Sequence, residues 1–141
     1  MILSQLNWIA VAVCTVIYFG IGAVWFSPLL FVNAWAKGHG INIPTSPEER
    51  AKARESMGKF MLITFIACLA GTIAIDYIET AMYAKNWMTG AKVGILGGVF
   101  VCIGIGLSHM HTKKSLATFM IDAGYHVASL LIVGIILSVW K

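Results

Sequence analysis

The sequence predicts an all-α fold, an integral membrane bundle of four transmembrane helices. Four apolar stretches occupy most of the 141-residue chain, and each is about long enough to cross a hydrocarbon core of about 30 Å. Hydrophobic residues make up 59% of the chain and charged residues 11%, against about 25% charged in ordinary soluble domains. Because lipid offers no partner to backbone N–H and C=O groups, each stretch is expected to be a helix. We therefore treat 1–141 as a single transmembrane domain.

The first span is predicted over about 6–30 and closes in the run Trp25-Phe26-Ser27-Pro28, where the proline favours a helix end or a kink. A polar loop is predicted over 33–57. Within it, Ser46 can cap a helix, Pro47 suits the first helical position, and Glu49 completes a capping box. We therefore expect a short amphipathic helix between the first and second spans, leading into the second.

The remaining spans are predicted over about 60–80, 92–108 and 116–140. The third span carries Gly90, Gly94 and Gly98, and small residues spaced by four let membrane helices approach closely. The connection between the third and fourth spans, 108–115, is short. These two spans are therefore expected to form an antiparallel pair.

Basic residues predict the orientation, because cytoplasmic loops of membrane proteins carry an excess of Lys and Arg. Seven basic residues flank the first and third loops and three lie on the opposite side, the three being Lys85, Lys92 and Lys141. We expect loops 31–59 and 109–115 in the cytoplasm and both termini outside. The net charge of +4 is too small and scattered to indicate a nucleic-acid partner. The expected partner is the lipid bilayer, which makes the chain a multi-pass protein of the cell membrane.

Ionisable groups inside a bilayer are costly, so their positions carry functional information. Asp122 and His126 lie one helical turn apart on the fourth span, and Tyr125 extends their face. His109 ends the third span at a similar depth. A pair between Asp122 and either His109 or His126 is therefore geometrically reasonable.

Three interpretations of this inner cluster are open. It is a polar clasp that fixes helix pairing, or a proton or ion relay, since histidine titrates near neutral pH. The third is metal or haem ligation by His109, His111 and His126 together with Asp122, because two histidines and a carboxylate bind transition metals. These residues form no specific motif, so no cofactor is predicted and the metal ligands stay unassigned.

A second polar face lies on the second span, toward the opposite surface. It consists of Asp76, Glu79 and Thr72. The simplest interpretation is that Glu79 reaches headgroup water and that Asp76 pairs with Lys92 or a hydroxyl. The functional alternative is an outer vestibule that attracts cations. No sequence feature connects this stripe to the inner cluster.

Segments near both ends of the chain form an unusual pattern. They are Asn7-Trp8, Trp25-Phe26-Ser27-Pro28-Leu29-Leu30-Phe31 with Trp35, Ile121-Asp122-Ala123-Gly124-Tyr125, and Gly134-Ile135-Ile136-Leu137 with Trp140. The pattern resembles that of a bacterial membrane family catalogued as domain of unknown function 1761. The resemblance implies a small four-span protein of the bacterial inner membrane and supplies no reaction or ligand.

The resemblance directs attention to the segment 25–35 and to Asp122. If the two regions meet, the Trp25 N–H or the Ser27 hydroxyl is expected to hydrogen-bond the Asp122 carboxylate. The candidate polar network at the cytoplasmic mouth therefore has six members, which are Asp122, His126, His109, Tyr125, Trp25 and Ser27.

Two functional classes lead. Four helices enclose little polar space, so a solute pathway is expected between protomers of a homo-oligomer, with a dimer as the simplest case. Such a protein translocates or senses a proton, an ion or a small solute, with Asp122 and His126 as titrating groups. The alternative is a structural or accessory subunit whose polar residues only specify helix packing, and a metal- or haem-binding membrane protein comes third. No nucleophile–base pair and no phosphate-binding loop occurs, so an enzyme is not expected.

Overall fold

The computed structural model describes residues 2–140, which form an all-helical bundle. Four of its helices are long and apolar enough to cross a membrane, so the predicted fold class is confirmed. Lys141, which counts in the predicted charge asymmetry, lies outside the described residues. After a 3-10 turn at Ile2–Gln5, the α-helices are α1 Trp8–Trp25, α2 Val32–His39, α3 Pro47–Ala81, α4 Trp87–His111 and α5 Leu116–Val139.

Helix α5 lies at the centre of the bundle, where it packs against each of the other four helices. Its Val133 and Leu137 are completely buried and share the core with Val11 and Cys14 of α1. The outward faces are apolar, and Ile9 and Phe100 are 71% and 79% exposed. An apolar core inside an apolar surface is the arrangement that a lipid environment favours.

Helices α4 and α5 pack backbone to backbone through glycine. A Cβ atom added to Gly90 would collide with the carbonyl oxygen of Gly134, and one added to Gly94 would collide with the carbonyl oxygen of Leu130. Later residues of α4 therefore face earlier residues of α5, which makes the pair antiparallel. The close packing expected from the glycine spacing is confirmed, and its partner surface belongs to α5.

Helix α3 begins with the predicted capping box. The Glu49 N–H donates to Ser46 Oγ at 3.1 Å, and the Ser46 N–H donates to the Glu49 carboxylate at 3.3 Å. The helix then continues for 35 residues to Ala81, so the expected short helix is the first part of the second span. At 1.5 Å per residue it is about 52 Å long, well beyond a hydrocarbon core of about 30 Å. Its charged first turns therefore extend past the apolar part of the bundle.

Helix α2 lies inside the segment expected to be a polar loop. It ends in a Schellman motif, in which Gly40 has a φ of 69° and its N–H donates to Lys37 O at 3.2 Å. The Ile41 N–H donates to Ala36 O at 2.8 Å. Gly38 allows α2 to dock on the start of α5, because a Cβ atom there would collide with Thr118 Oγ1. An eight-residue helix of this kind is held by its tertiary contacts.

The bundle has two ends. The α2 end holds α2, the last turns of α1 and α4 and the first turns of α3 and α5, and the far end holds the opposite termini of these long helices. At the far end, Asn7 Nδ2 donates to Trp140 O at 2.7 Å, which ties the start of α1 to the end of α5. The placement of the α2 end in the cytoplasm stays a prediction.

Candidate functional site

The carboxylate of Asp122 is the meeting point of side chains from three helices. Trp35 Nε1 donates to Asp122 Oδ1 at 2.8 Å. His39 Nε2 lies 2.9 Å and His109 Nε2 lies 3.0 Å from Asp122 Oδ2. We call these four residues the Asp122 cluster. Its ionisable side chains are mostly buried yet reach solvent, with 16% exposure for Asp122, 23% for His39 and 11% for His109.

Local structure explains how the cluster is assembled. Trp35 and His39 lie four residues apart on α2, so both point from one face of that helix. His109 lies in the last turn of α4, and Asp122 lies in the second turn of α5. Ring packing fixes the orientations, because the Trp35 and His39 centroids are 4.8 Å apart and those of His39 and His109 are 5.8 Å apart.

The electrostatic surroundings of the cluster favour positive charge. Helix α2 ends at His39 and α4 ends at His111, so the carbonyl ends of two helices lie beside the Asp122 carboxylate. A helix C-terminus carries a partial negative charge of roughly half an elementary charge. Both helix ends therefore add negative potential beside the Asp122 carboxylate.

The sequence analysis identified part of this site. The expected pair between His109 and Asp122 is present. His126 contacts α1, where its Nδ1 lies 2.7 Å from the hydroxyl of Tyr18. His111, one of the weak metal candidates, is exposed and lies outside the cluster. The second histidine of the cluster is His39, which was not among the predicted site residues.

The expected hydrogen bond from Trp25 or Ser27 to Asp122 is wrong. Trp25 Nε1 donates to the carbonyl oxygen of Ile121 at 3.0 Å, and Ser27 Oγ accepts the N–H of Leu29 at 3.2 Å. The indole lies over Gly124, where an added Cβ would approach Trp25 Cζ2 to 3.2 Å. From that position its N–H reaches the α5 main chain, and the Asp122 carboxylate is left to Trp35.

The two aromatic and polar segments singled out in the sequence do meet. In the run Ile121-Asp122-Ala123-Gly124-Tyr125, the carbonyl of Ile121 accepts from Trp25 and the carboxylate of Asp122 accepts from Trp35. Gly124 provides the space for the Trp25 ring. Tyr125 packs against Phe26, with ring centroids 5.4 Å apart. One short stretch of α5 therefore contacts both the start and the end of the segment 25–35.

Tyrosine, histidine and cysteine side chains form a second polar group, deeper in the bundle. Beyond the contact of Tyr18 with His126, the hydroxyl of Tyr125 donates to Tyr18 O at 3.3 Å and lies 3.7 Å from Cys68 Sγ. Tyr18, Tyr125 and His126 line a cleft of about 560 Å³ whose remaining walls come mainly from α3 and α4. The cleft is otherwise almost entirely apolar.

The acidic stripe of α3 faces the interior of the bundle. Asp76, Glu79 and Thr72 are each 0% exposed, so the expectation that Glu79 reaches headgroup water is wrong. Lys92, one of the two partners expected for Asp76, is exposed, and the pairing of Asp76 with Lys92 or a hydroxyl stays a prediction. The cause of the burial is the rotation of α3, which turns this face toward Cys14 of α1, close enough for an electrostatic interaction. Two carboxylates are thus enclosed at the far end of the bundle.

Comparison with known proteins places the chain in a family. The family model described as "Protein of unknown function (DUF1761)" matches residues 9–138. The chain belongs to this family. The resemblance inferred from the end segments is confirmed, and the match also covers the middle of the chain. No curated protein and no solved structure matches the chain.

In this DUF1761 chain, the structure adds two site residues that were not predicted from the sequence. One is Trp35, whose indole N–H donates to Asp122, and the other is His39. A signal for both was present. They stand one helical turn apart, His39 directly precedes Gly40, and a glycine after a short run is a typical helix end. Interpreted as a helix, the segment puts an indole N–H and an imidazole on one face.

Proposed function

We propose that this membrane protein transfers protons along a line of polar side chains inside each protomer. The observation that carries the proposal is the succession of ionisable and hydroxyl groups through the buried interior, from His126 to Glu79. Ionisable groups at membrane depth are rare and mark proton or ion pathways. The sequence predicts translocation or sensing of a proton, an ion or a small solute, and of these we select the proton.

The first half of the line begins one helical turn before His126 and continues through contacts of His126, Tyr18, Tyr125 and Cys68. Asp122 reaches solvent at the α2 end and stands one turn before His126. The His126 ring then meets the Tyr18 hydroxyl at 2.7 Å. The Tyr125 hydroxyl bonds the main chain of Tyr18 and lies 3.7 Å from the sulfur of Cys68. Imidazole and hydroxyl groups both donate and accept protons.

The second half follows one face of α3. The Thr72 hydroxyl donates to Cys68 O at 2.9 Å, and Asp76 and Glu79 follow at the next two helical positions on that face. Residues so spaced are neighbours on one helix face, with Cβ atoms about 5–6 Å apart. Glu79 also lines a recess of about 230 Å³ at the far end. The line therefore extends between the two ends of the bundle.

This line suits a proton better than a hydrated ion, because it consists of packed side chains. It also lies within one protomer, so it needs no pathway between copies. Homo-oligomer formation, expected from the sequence, becomes a separate proposal. Light scattering of the protein in detergent micelles tests that proposal directly.

The alternative function is that of a structural or accessory subunit. The observation that favours it is the Asp122 cluster, which ties α2, α4 and α5 together through one carboxylate. A partner that copurifies with the protein, without any proton flux, would support this alternative.

The test measures proton flux into proteoliposomes that enclose a pH-sensitive dye. A potassium gradient and valinomycin set the membrane potential, and EDTA is present throughout. Wild-type protein is expected to change the internal pH at least tenfold faster than liposomes without protein. Tyr18→Phe and His126→Phe are expected to remove most of this flux, because each breaks the 2.7 Å contact. His111→Phe is the matched control, since His111 is exposed.

Each variant is first checked for its elution profile and thermal stability. Tyr18→Phe keeps the aromatic ring, so it supplies the decisive comparison if His126→Phe proves unstable. Wild-type flux no faster than that of empty liposomes overturns the proposal. Flux of a folded Tyr18→Phe variant equal to that of the wild type also overturns it.

A further inference from the structure

Three potential metal-ligand atoms converge at the Asp122 cluster. His39 Nε2, His109 Nε2 and Asp122 Oδ2 all lie within 4.8 Å of one another, with nitrogen–oxygen distances of 2.9 and 3.0 Å. A tetrahedral metal ion bound at about 2.0–2.2 Å holds its ligand atoms about 3.3–3.5 Å apart. Small side-chain rotations therefore convert the present arrangement into a coordination site. We propose that these three residues bind one divalent first-row transition-metal ion.

The hydrogen-bond pattern around the carboxylate supports this assignment. Both imidazoles direct Nε2 at the same oxygen, so without metal two N–H groups share Asp122 Oδ2. A metal ion replaces these two protons and binds the nitrogen lone pairs. Trp35 meanwhile donates to the other oxygen, Oδ1. Carboxylate ligands are commonly held by such an outer hydrogen bond, which fixes the oxygen that faces the metal.

Ligand type and access define the chemical class of the ion. Two imidazoles and one carboxylate suit zinc, iron, cobalt or nickel in the divalent state, and the absence of a thiolate among these three ligands disfavours soft monovalent copper. Three protein ligands leave an open coordination position, as in exchangeable or catalytic sites. The exposure of His39, 23%, gives the ion a route from the water at the α2 end.

The location of the site also favours a cation. The site lies where the C-terminal ends of α2 and α4 approach each other, and both ends carry partial negative charge. Asp122 adds a full negative charge when ionised. The metal site shares only Asp122 with the proposed proton line, and the flux assay is run in EDTA, so either proposal can fail alone.

The experiment uses full-length protein purified through a tag without histidine, stripped with EDTA and then titrated with Co²⁺ in detergent. The expected result is one Co²⁺ per chain, with visible absorption bands typical of a four- or five-coordinate ion and loss of these bands when excess Zn²⁺ is added. Elemental analysis after dialysis against Zn²⁺ gives the stoichiometry independently. His39→Ala is expected to weaken binding at least 100-fold.

Two further variants make the result specific. Trp35→Phe keeps the ring but removes the donor to Asp122, and loss of such an outer-shell partner weakens metal binding about 10- to 100-fold. His111→Ala, two residues from His109 but exposed, is expected to bind like the wild type. Wild-type protein that takes up no Co²⁺ and no Zn²⁺ overturns the proposal. Binding that survives in His39→Ala and is lost in His111→Ala also overturns it.

Discussion

Replacement of Asp122 by Asn is expected to release α2 from the bundle while the rest of the fold persists. Asn keeps an oxygen for the Trp35 N–H but places an amide where Oδ2 accepted from His39 and His109. Hydrogen bonds to a charged group contribute about 1.5–3 kcal/mol each. Of the two lost contacts only that of His39 joins α2 to α5, since His109 belongs to α4, so the docking of α2 loses about 1.5–3 kcal/mol.

These values correspond to an increase of about 10- to 100-fold in the equilibrium for local opening of α2. Hydrogen–deuterium exchange in detergent with EDTA measures that equilibrium residue by residue. We expect faster exchange over Val32–His39 and unchanged exchange in the glycine contact between α4 and α5. Glu55→Gln, at an exposed position of α3, is the control. A change in α2 exchange of less than threefold would show that the carboxylate does not hold this helix.

Two further predictions concern the long helices. Gly94→Ala is expected to lower the free energy of unfolding by about 1–3 kcal/mol, because its Cβ would collide with the Leu130 main chain. The control Gly104→Ala has no neighbouring atom within 4 Å and is expected to leave stability equal or slightly higher. Thermal unfolding in detergent compares the two variants, and equal melting temperatures would refute the role of the glycine contact. Ser46→Ala removes the N-cap of α3 and is expected to lower the stability of that helix end by about 1 kcal/mol. Hydrogen–deuterium exchange would then be faster only in the first turns of α3. Unchanged exchange there would contradict the role of the capping box.

The features that follow from local physical rules were predictable from the sequence. Span-length apolar stretches, the capping box at Ser46 and Glu49, and the antiparallel α4–α5 pair all depend on neighbours in the chain or on short connections. The pair of His109 and Asp122 could also be predicted, because a short turn joins their helices. Such contacts follow once the helices are placed.

The features that depend on helix rotation and on a long loop were not predictable in the same way. The choice between Trp25 and Trp35 as the donor to Asp122 depends on which face of α1 meets α5. The burial of Asp76 and Glu79 depends on the rotation of α3. Apart from its polar stripe, the membrane-spanning part of this helix is apolar on all sides, so the apolar residues do not indicate which side faces inward. His39 was missed because α2 is only eight residues long, too short for a clear hydrophobic period.

The length of α3 gives the protein a mechanical property. One uninterrupted helix carries the basic residues Arg50, Lys52 and Arg54 in its first turns and the enclosed Asp76 and Glu79 within about two turns of its other end. A continuous α-helix transmits axial rotation and tilt along its length, because each turn is hydrogen-bonded to the next. No break in α3 separates the basic segment from the buried carboxylates, so a tilt of the helix at the aqueous surface also displaces Asp76 and Glu79 in the bundle interior.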